Sequence, residues 1–245
     1  MDIVSCNQVV KHFKRHTGQR LLWQHVSALF SLQRAERFYA LNGVTFSIPK
    51  GSSLGICGHN GAGKSTLLNL IAGMGQPDKG TIEVRGRVAA LLELGSGFHP
   101  DLTGAENFRL NSALLGFSRK QTAELFDTVV DFSGLADFIN EPLRTYSSGM
   151  ILRLAFATAI NVAPDVLIVD EILAVGDDTF QEKCHQRIAE LRRRGTTFVC
   201  VSHSAQMLLN LCDIGLWLDR GQVVLQGSMR DVVNAYHGRL AATVP

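Results

Sequence analysis

The sequence lacks an apolar run long enough to cross a bilayer, for which about 20 residues are needed. Its most apolar region, residues 163–176, is interrupted by a proline and three carboxylates: Pro164, Asp165, Asp170 and Glu171. The N-terminus also lacks the basic start and the long apolar stretch of a secretory signal peptide. If the protein serves a membrane, we therefore expect a separate subunit to cross it.

The sequence also lacks an excess of one charge and any close pair of cysteines. With 24 Lys and Arg against 22 Asp and Glu, the formal net charge of +2 gives no argument for binding nucleic acid or a membrane. The five cysteines are odd in number and widely spaced, with no C-x-x-C pair, which indicates a reducing cytoplasm. Cys57 and Cys200 lie in apolar strand-like runs, so we expect them to be inert core residues.

The chain has 245 residues, of which 46% are hydrophobic, and this suits one α/β domain with appendages. Uninterrupted apolar strands such as residues 166–169 indicate a parallel sheet covered on both faces. Strands are predicted at residues 44–48, 53–57, 81–84, 88–92, 166–170, 196–201, 214–218 and 223–226. Helices are predicted at residues 64–72, 104–115, 119–132, 148–161, 180–194, 205–211 and 229–240.

Two segments differ from this alternation. Residues 103–148 are helical by pattern, which predicts a helical subdomain inserted between two parts of the α/β core. Residues 11–39 interleave basic residues with Trp23, Phe30, Phe38 and Tyr39. That insertion could lie at a membrane surface or against a partner, or it could be an ordinary surface insertion with a small apolar anchor, and both interpretations stay open.

A phosphate-binding loop is predicted between the strand at residues 53–57 and the helix that follows it. The motif G-x-x-x-x-G-K-S is formed by Gly58, His59, Asn60, Gly61, Ala62, Gly63, Lys64 and Ser65, and Thr66 follows as the ninth residue of the predicted loop. Its backbone N–H groups would converge on phosphate at the positive end of the helix. Lys64 would reach the β- and γ-phosphates of a nucleoside triphosphate, and the Ser65 hydroxyl would ligate Mg²⁺. The alternative, a glycine-rich turn that binds nothing, does not account for the Lys-Ser pair.

Two carboxylates end a second apolar strand. Asp170 and Glu171 directly follow residues 166–169, and the carboxyl end of such a strand lies beside the phosphate-binding loop in an open α/β sheet. Asp170 would hold Mg²⁺, usually through water. Glu171 could polarise an attacking water as general base.

The segment Tyr146-Ser147-Ser148-Gly149-Met150 resembles the signature loop of ATP-binding-cassette (ABC) ATPases, usually L-S-G-G-Q. The resemblance implies an α/β P-loop NTPase fold: an ABC nucleotide-binding domain over residues 1–245, with a RecA-like core, an antiparallel β subdomain and an inserted helical subdomain. It implies that Ser147, Ser148 and Gly149 close on the γ-phosphate held by a second copy in a homodimer. A helix N-cap by Ser147 or Ser148 is a compatible alternative.

Further positions follow from the same resemblance. His203 ends a strand at the family's switch position and would contact the γ-phosphate, while residues 174–177 match the dimer-contact loop. The aromatic residue that stacks on adenine fits Phe13 best and Tyr39 second. The family usually carries a glutamine between the phosphate-binding loop and the helical subdomain, but residues 91–100 contain none. Glu93 is the nearest polar candidate there, for sensing and as a further Mg²⁺ ligand.

The segments L-L-E-L-G-S-G-F-H-P, Y-S-S-G-M and V-D-E-I-L-A-V-G-D are similar to those of ATPase subunits of bacterial polysaccharide exporters. The resemblance implies an ATPase that uses ATP and Mg²⁺ to drive export of a lipid-linked polysaccharide, most typically O-antigen, through a separate permease at the cytoplasmic face of the inner membrane. Because the sequence ends at Pro245, we expect no C-terminal carbohydrate-binding domain. The alternatives are another exporter, a non-transport ABC ATPase acting on nucleic acid or ribosomes, and a P-loop kinase. Nucleic acid is not an expected partner, since no basic patch dominates.

Overall fold

The computed structural model describes residues 1–14, 37–91, 95, 97–170, 176–202 and 204–243. Within these residues the strands are β1 (Asp2–Lys14), β2 (Arg37–Pro49), β3 (Ser53–Cys57), β4 (Lys79–Val84), β5 (Val88–Ala90), β6 (Val166–Asp170), β7 (Thr197–Val201), β8 (Ile214–Asp219) and β9 (Gln222–Ser228). The helices are α1 (Lys64–Ile71), α2 (Gly104–Leu114), α3 (Arg119–Ser133), α4 (Ser148–Asn161), α5 (Asp178–Arg193), α6 (Ala205–Leu211) and α7 (Met229–Thr243), with a 3₁₀ turn at Leu143–Thr145. None of the helices in these ranges has the length and apolar character needed to cross a bilayer.

The strands form two sheets. The larger has the order β5-β6-β7-β3-β8-β9 and is parallel except for β9, which pairs antiparallel with β8. The smaller has the order β2-β1-β4 and is antiparallel. Strand β7 separates β3 from β6, so the carboxyl ends of these three parallel strands meet at one edge of the sheet.

The central strands of the large sheet are buried on both faces. Along β6, Leu167 and Val169 belong to the core under the helices, whereas Val166 and Ile168 face a second core that contains α1 and the small sheet. This alternation is the period of two expected for a strand. Both faces are apolar because each is covered, as the uninterrupted apolar strands indicate in the sequence.

Residues 103–148 contain α2, α3 and the 3₁₀ turn, and they pack on α4 around a third core that includes Phe108 and Leu154. Both helices begin with a capping box, Thr103 with Glu106 and Ser118 with Gln121. These reciprocal bonds satisfy N–H groups that a helix start otherwise leaves without partners.

The first strand pair was only partly predicted from the sequence. Strand β1, at the N-terminus, pairs with its neighbours through several register irregularities. Such irregularities obscure the alternation of apolar and polar residues from which a strand is predicted. Within the predicted 11–39 insertion, residues 11–14 and 37–39 are paired strand residues. Residues 15–36 lie outside the described part of the chain, and so do Trp23 and Phe30.

Candidate active site

The loop between β3 and α1 requires glycine at two positions because backbone atoms approach closely. Gly58 has φ 153° and Gly63 has φ 106°. A Cβ at Gly58 would lie 2.3 Å from the carbonyl oxygen of Leu218, and one at Gly63 would lie 2.3 Å from that of Ala40. Gly61, with φ 80°, has open space where its Cβ would be, so only its backbone angle favours glycine.

Lys64 begins α1 and points back along the loop. Its Nζ donates to the carbonyl oxygens of Gly58 at 2.6 Å and His59 at 3.0 Å. The loop is closed further by Ala62 N–H, which donates to the His59 carbonyl at 3.1 Å. These bonds hold the ammonium group beside the glycines whose N–H groups would receive phosphate.

An open cleft of about 320 Å³ lies over the loop. It is lined by six of the nine predicted loop residues, Asn60, Gly61, Gly63, Lys64, Ser65 and Thr66, together with Phe38, Ala40, Asp170 and Val201. The structure therefore brings the Ser65 hydroxyl, the Lys64 ammonium and the Asp170 carboxylate to one cavity. Of the remaining three loop residues, Ala62 is buried, Gly58 lies behind the loop, and the His59 side chain bonds to Asp219 outside the cleft.

The aromatic residue in the cleft lining is Phe38, which the sequence places in the 11–39 insertion but which was not among the predicted candidates for stacking on adenine. It is half exposed and pairs across the strands with Phe13, so the two rings lie on the same face of the small sheet. Neither Phe13 nor Tyr39 is among the lining residues. Tyr39 contacts His12 instead, with ring centroids 5.9 Å apart. The sequence signal for Phe38 was its position in the F-Y-A-L run, two residues before Ala40, which also lines the cleft.

Cys57 ends β3 directly below the loop. Burial raises the pKa of its thiol to about 11, an effect that the nearby Lys64 ammonium partly offsets. The thiol is therefore protonated near neutral pH, and it behaves as the inert core residue expected from the sequence.

The family model for ABC transporters matches residues 41–174, more than half of the chain, and this range contains the loop, Asp170 and the signature segment. The chain belongs to the ABC transporter family. The ABC transporter protein AbcA of Aeromonas salmonicida is 51% identical over 200 residues, covering 82% of this chain and 65% of AbcA. The chain therefore spans a little under two thirds of that relative.

Another relative matches from end to end. The O-antigen export system ATP-binding protein RfbB of Klebsiella pneumoniae is 41% identical over 243 residues, covering 98% of this chain and 99% of RfbB. A solved dimeric structure of the ATP-binding cassette MJ0796, in a post-hydrolysis state with ADP and Pi, shares the fold with a TM-score of 0.72 at 22% identity, covering 93% of this chain and 99% of that one. The predicted fold class, the ABC ATPase type and the resemblance to polysaccharide-export ATPases are confirmed.

The signature segment of this ABC protein lies at the start of α4. Ser147 is the N-cap, and its hydroxyl accepts from the N–H of Met150 at 3.2 Å. Ser147 and Ser148 are exposed and Gly149 is partly buried, and none of the three lines the cleft of its own chain. Helix-start N–H groups and a hydroxyl are thus presented at the surface, where they can receive an anion.

The segment also departs from the usual family sequence at Tyr146, which is buried. Its hydroxyl donates to the carbonyl oxygen of Phe138 at 2.5 Å, and burial raises its pKa. A Cβ at Gly104 would lie 2.4 Å from that hydroxyl, so the glycine at the start of α2 makes room for the tyrosine.

Glu171, His203 and Glu93 lie outside the described residues, so their predicted roles as general base, γ-phosphate contact and further metal ligand stay predictions. Their neighbours Asp170 and Ser202 do lie at the carboxyl ends of β6 and β7, at the edge where β3 enters the loop.

Proposed function

We propose that this ABC protein is the ATP-hydrolysing subunit of an exporter that moves a lipid-linked polysaccharide, in the first place O-antigen, across the bacterial inner membrane. The observation that carries the proposal is the 41% identity to the O-antigen export protein RfbB over nearly the full length of both chains. In this proposal the chain works at the cytoplasmic face, as a homodimer bound to a separate permease. The helices of residues 103–148 share a core with α4, which supports the inserted helical subdomain of this proposal.

In the proposed site, the cleft over the loop binds ATP. Loop N–H groups and the Lys64 ammonium neutralise the β- and γ-phosphates. The Ser65 hydroxyl and the Asp170 carboxylate line the same cleft and are the hard oxygen donors that Mg²⁺ prefers, so the residues fit this ion. We infer that Ser65 holds Mg²⁺ directly and Asp170 through water. When bound, the ion supplies further neutralisation of the phosphate charge.

Phe38 is the proposed platform for the base, in place of Phe13 or Tyr39. Phe38 lines the cleft together with the phosphate-binding loop, and Phe13 is its cross-strand partner on the same face of the small sheet. Aromatic stacking on a base contributes about 1–3 kcal/mol in nucleic-acid complexes. Phe38→Ala should therefore raise the Kd for ATP about tenfold, whereas Tyr39→Ala should leave it within twofold.

Glu171 and His203 complete the proposed chemistry on sequence grounds. Glu171 accepts a proton from the attacking water, and His203 contacts the γ-phosphate. Glu171→Gln should keep ATP binding, stabilise the closed dimer and abolish steady hydrolysis. Full turnover by this variant would overturn the general-base assignment.

The site is shared between two copies in this proposal, because Ser147, Ser148 and Gly149 present donors outside the cleft of their own chain. Mixing two inactive variants tests the sharing. Lys64→Ala destroys the cleft of its own chain, and Ser147→Arg blocks the surface offered to the other copy. A mixed dimer contains one site with both defects and one intact site, so mixing should restore ATPase activity. Failure to gain activity, with dimers present by light scattering, would refute the shared site.

The export assignment is tested in the native bacterium. Glu171→Gln or Lys64→Ala replaces the wild-type protein, and surface polysaccharide and intracellular lipid-linked glycan are measured together. Loss at the surface with accumulation inside supports export and supplies the cargo for chemical identification. Lys120→Ala, an exposed lysine on α3, is the matched control and should leave both pools unchanged. Unchanged glycan in the Lys64 and Glu171 variants would reject the polysaccharide cargo and leave another exporter or a non-transport ABC ATPase.

A further inference from the structure

The side chain of His59 points away from the nucleotide cleft and joins the loop to another part of the fold. Its Nδ1 lies 2.6 Å from the carbonyl oxygen of Asn60, and its Nε2 lies 2.8 Å from Oδ1 of Asp219. A carbonyl oxygen and a carboxylate oxygen can only accept hydrogen bonds. With hydrogen on Nε2, the imidazole donates a hydrogen bond to the Asp219 carboxylate.

Asp219 also pairs with a cation from a different element. It ends β8, the parallel neighbour of β3, and its Oδ2 lies 3.4 Å from Nη1 of Arg239 on α7. The side chain of Asp219 is 18% exposed, whereas those of His59 and Arg239 are 49% and 58% exposed, so solvent partly screens both contacts. One carboxylate thus joins the phosphate-binding loop to the last helix through its two oxygens.

Helix α7 packs closely on β8, which anchors the Arg239 end of this connection. The Arg239 guanidinium lies 5.3 Å from the ring centroid of Trp217, and Tyr236 packs edge-on against the same buried ring at 5.7 Å. Val232 lies so close to Gly215 of β8 that a Cβ on the glycine would come within 2.6 Å of it. The helix therefore has little freedom to shift along β8 without breaking this packing.

His59 also contacts the part of the loop that holds Lys64. Its backbone carbonyl accepts from Nζ of Lys64 at 3.0 Å and from the N–H of Ala62 at 3.1 Å. Since the side chain of His59 is held by Asp219, the position of this carbonyl depends on the carboxylate. The three contacts form a continuous chain, Arg239 to Asp219 to His59, that ends at the lysine of the cleft.

We propose that Arg239, Asp219 and His59 form a positioning relay through which α7 fixes the phosphate-binding loop in the shape that binds ATP. None of the three side chains lines the nucleotide cleft, so they act through the loop and are positioning residues. The inference rests on the proposed function, since it assumes that the cleft binds ATP.

The test measures the Kd for a fluorescent ATP analogue and the steady-state kcat and KM of the full-length chain. Asp219→Asn and His59→Ala should each raise Kd and KM about tenfold and leave kcat within twofold, because they misplace the loop without touching Glu171. Arg239→Ala should raise Kd about threefold. Arg230→Ala removes an exposed arginine from the first turn of α7 and is the matched control, which should match the wild type. Thermal unfolding of each variant establishes that it is folded.

Coupling between the positions separates a relay from general destabilisation. The double variant Asp219→Asn/His59→Ala should bind ATP no more weakly than either single variant, because each change breaks the same contact. Multiplicative losses in the double variant would overturn the relay. So would unchanged Kd in folded Asp219→Asn and His59→Ala variants while Lys64→Ala abolishes binding, and in that case the proposed function would stand. A wild-type chain that binds no ATP would instead refute the proposed function.

Discussion

Asn107→Ala should destabilise the helical block more than any other single truncation at the start of α2. Asn107 is fully buried, and its side chain makes four hydrogen bonds to the preceding loop. Oδ1 accepts from the N–H of His99 at 2.7 Å. Nδ2 lies 3.0 Å from each of the carbonyl oxygens of His99, Leu102 and Thr103, which share its two N–H groups as donors. The side-chain amide therefore gives the backbone groups of this loop hydrogen bonds that regular secondary structure would otherwise provide.

The expected loss in free energy of unfolding depends on which backbone groups of the loop still have a hydrogen-bond partner after the truncation. All three carbonyl oxygens retain a backbone donor: Leu102 N–H for His99, Leu143 N–H for Leu102, and Asn107 N–H for Thr103. The N–H of His99 has Asn107 as its described partner in a part-buried bond, so leaving it unpaired costs toward the lower end of the range of about 1–3 kcal/mol for a buried donor. Together with the lost donor bonds, we expect about 2–4 kcal/mol, which lowers Tm by about 5–15 °C in a domain of this size.

Circular dichroism melts of the purified chain measure this shift. Asn111→Ala is the matched control one turn further along α2, where the side chain donates one bond at 3.2 Å to the Asn107 carbonyl, and it should cost less than about 1 kcal/mol. Asn107→Asp keeps an acceptor for His99 but sets a carboxylate against three carbonyl oxygens, so it should be at least as damaging as alanine. An Asn107→Ala melt within 2 °C of the wild type would refute the reasoning.

Three further predictions concern the loop, the small sheet and a thiol. Gly63→Ala should abolish ATP binding, because the backbone carbonyl behind it leaves no space, whereas Gly61→Ala should weaken binding about tenfold at most through its φ angle alone. The backbone N–H of His12 lowers the pKa of Asp78, so this carboxylate stabilises the fold above the ordinary aspartate pKa, and the effect is lost as pH falls through the lowered value. Urea unfolding should therefore show a larger cost of Asp78→Asn at pH 5 than at pH 2.5. Cys57 should resist iodoacetamide at pH 8 in the native protein and react in urea, as measured by mass spectrometry.

The helices and the loop around the site could be predicted from the sequence because each is determined by residues within a few positions of one another. The capping residues Thr103, Ser118 and Ser147 stand at the first turns of their helices, and the structure has each helix begin where its cap indicates. The phosphate-binding loop is equally local, since glycine spacing, the lysine and the flanking strand and helix lie within a few residues.

Features that depend on pairing between segments far apart in the chain could not be predicted from local sequence signals. Phe38 reaches the cleft because β2 pairs with β1 through an irregular register, and a shift of one residue would bring Tyr39 to that face instead. The contact of His59 with Asp219 joins residues 160 positions apart. From the sequence, Asp219 is only the start of a turn, and its position depends on β8 lying beside β3.

The departure of this chain from the usual ABC sequence at Tyr146 fits the surroundings of that residue. Tyr146 stands where the family signature has leucine, and its hydroxyl requires both an acceptor and space. The Phe138 carbonyl provides the acceptor, and Gly104 provides the space that a Cβ would occupy. Because Gly104 also begins α2 and Tyr146 directly precedes the cap of α4, the tyrosine joins the starts of the two helices. The altered signature thus keeps Ser147 at an ordered helix start, which is the property that an anion site at this position needs.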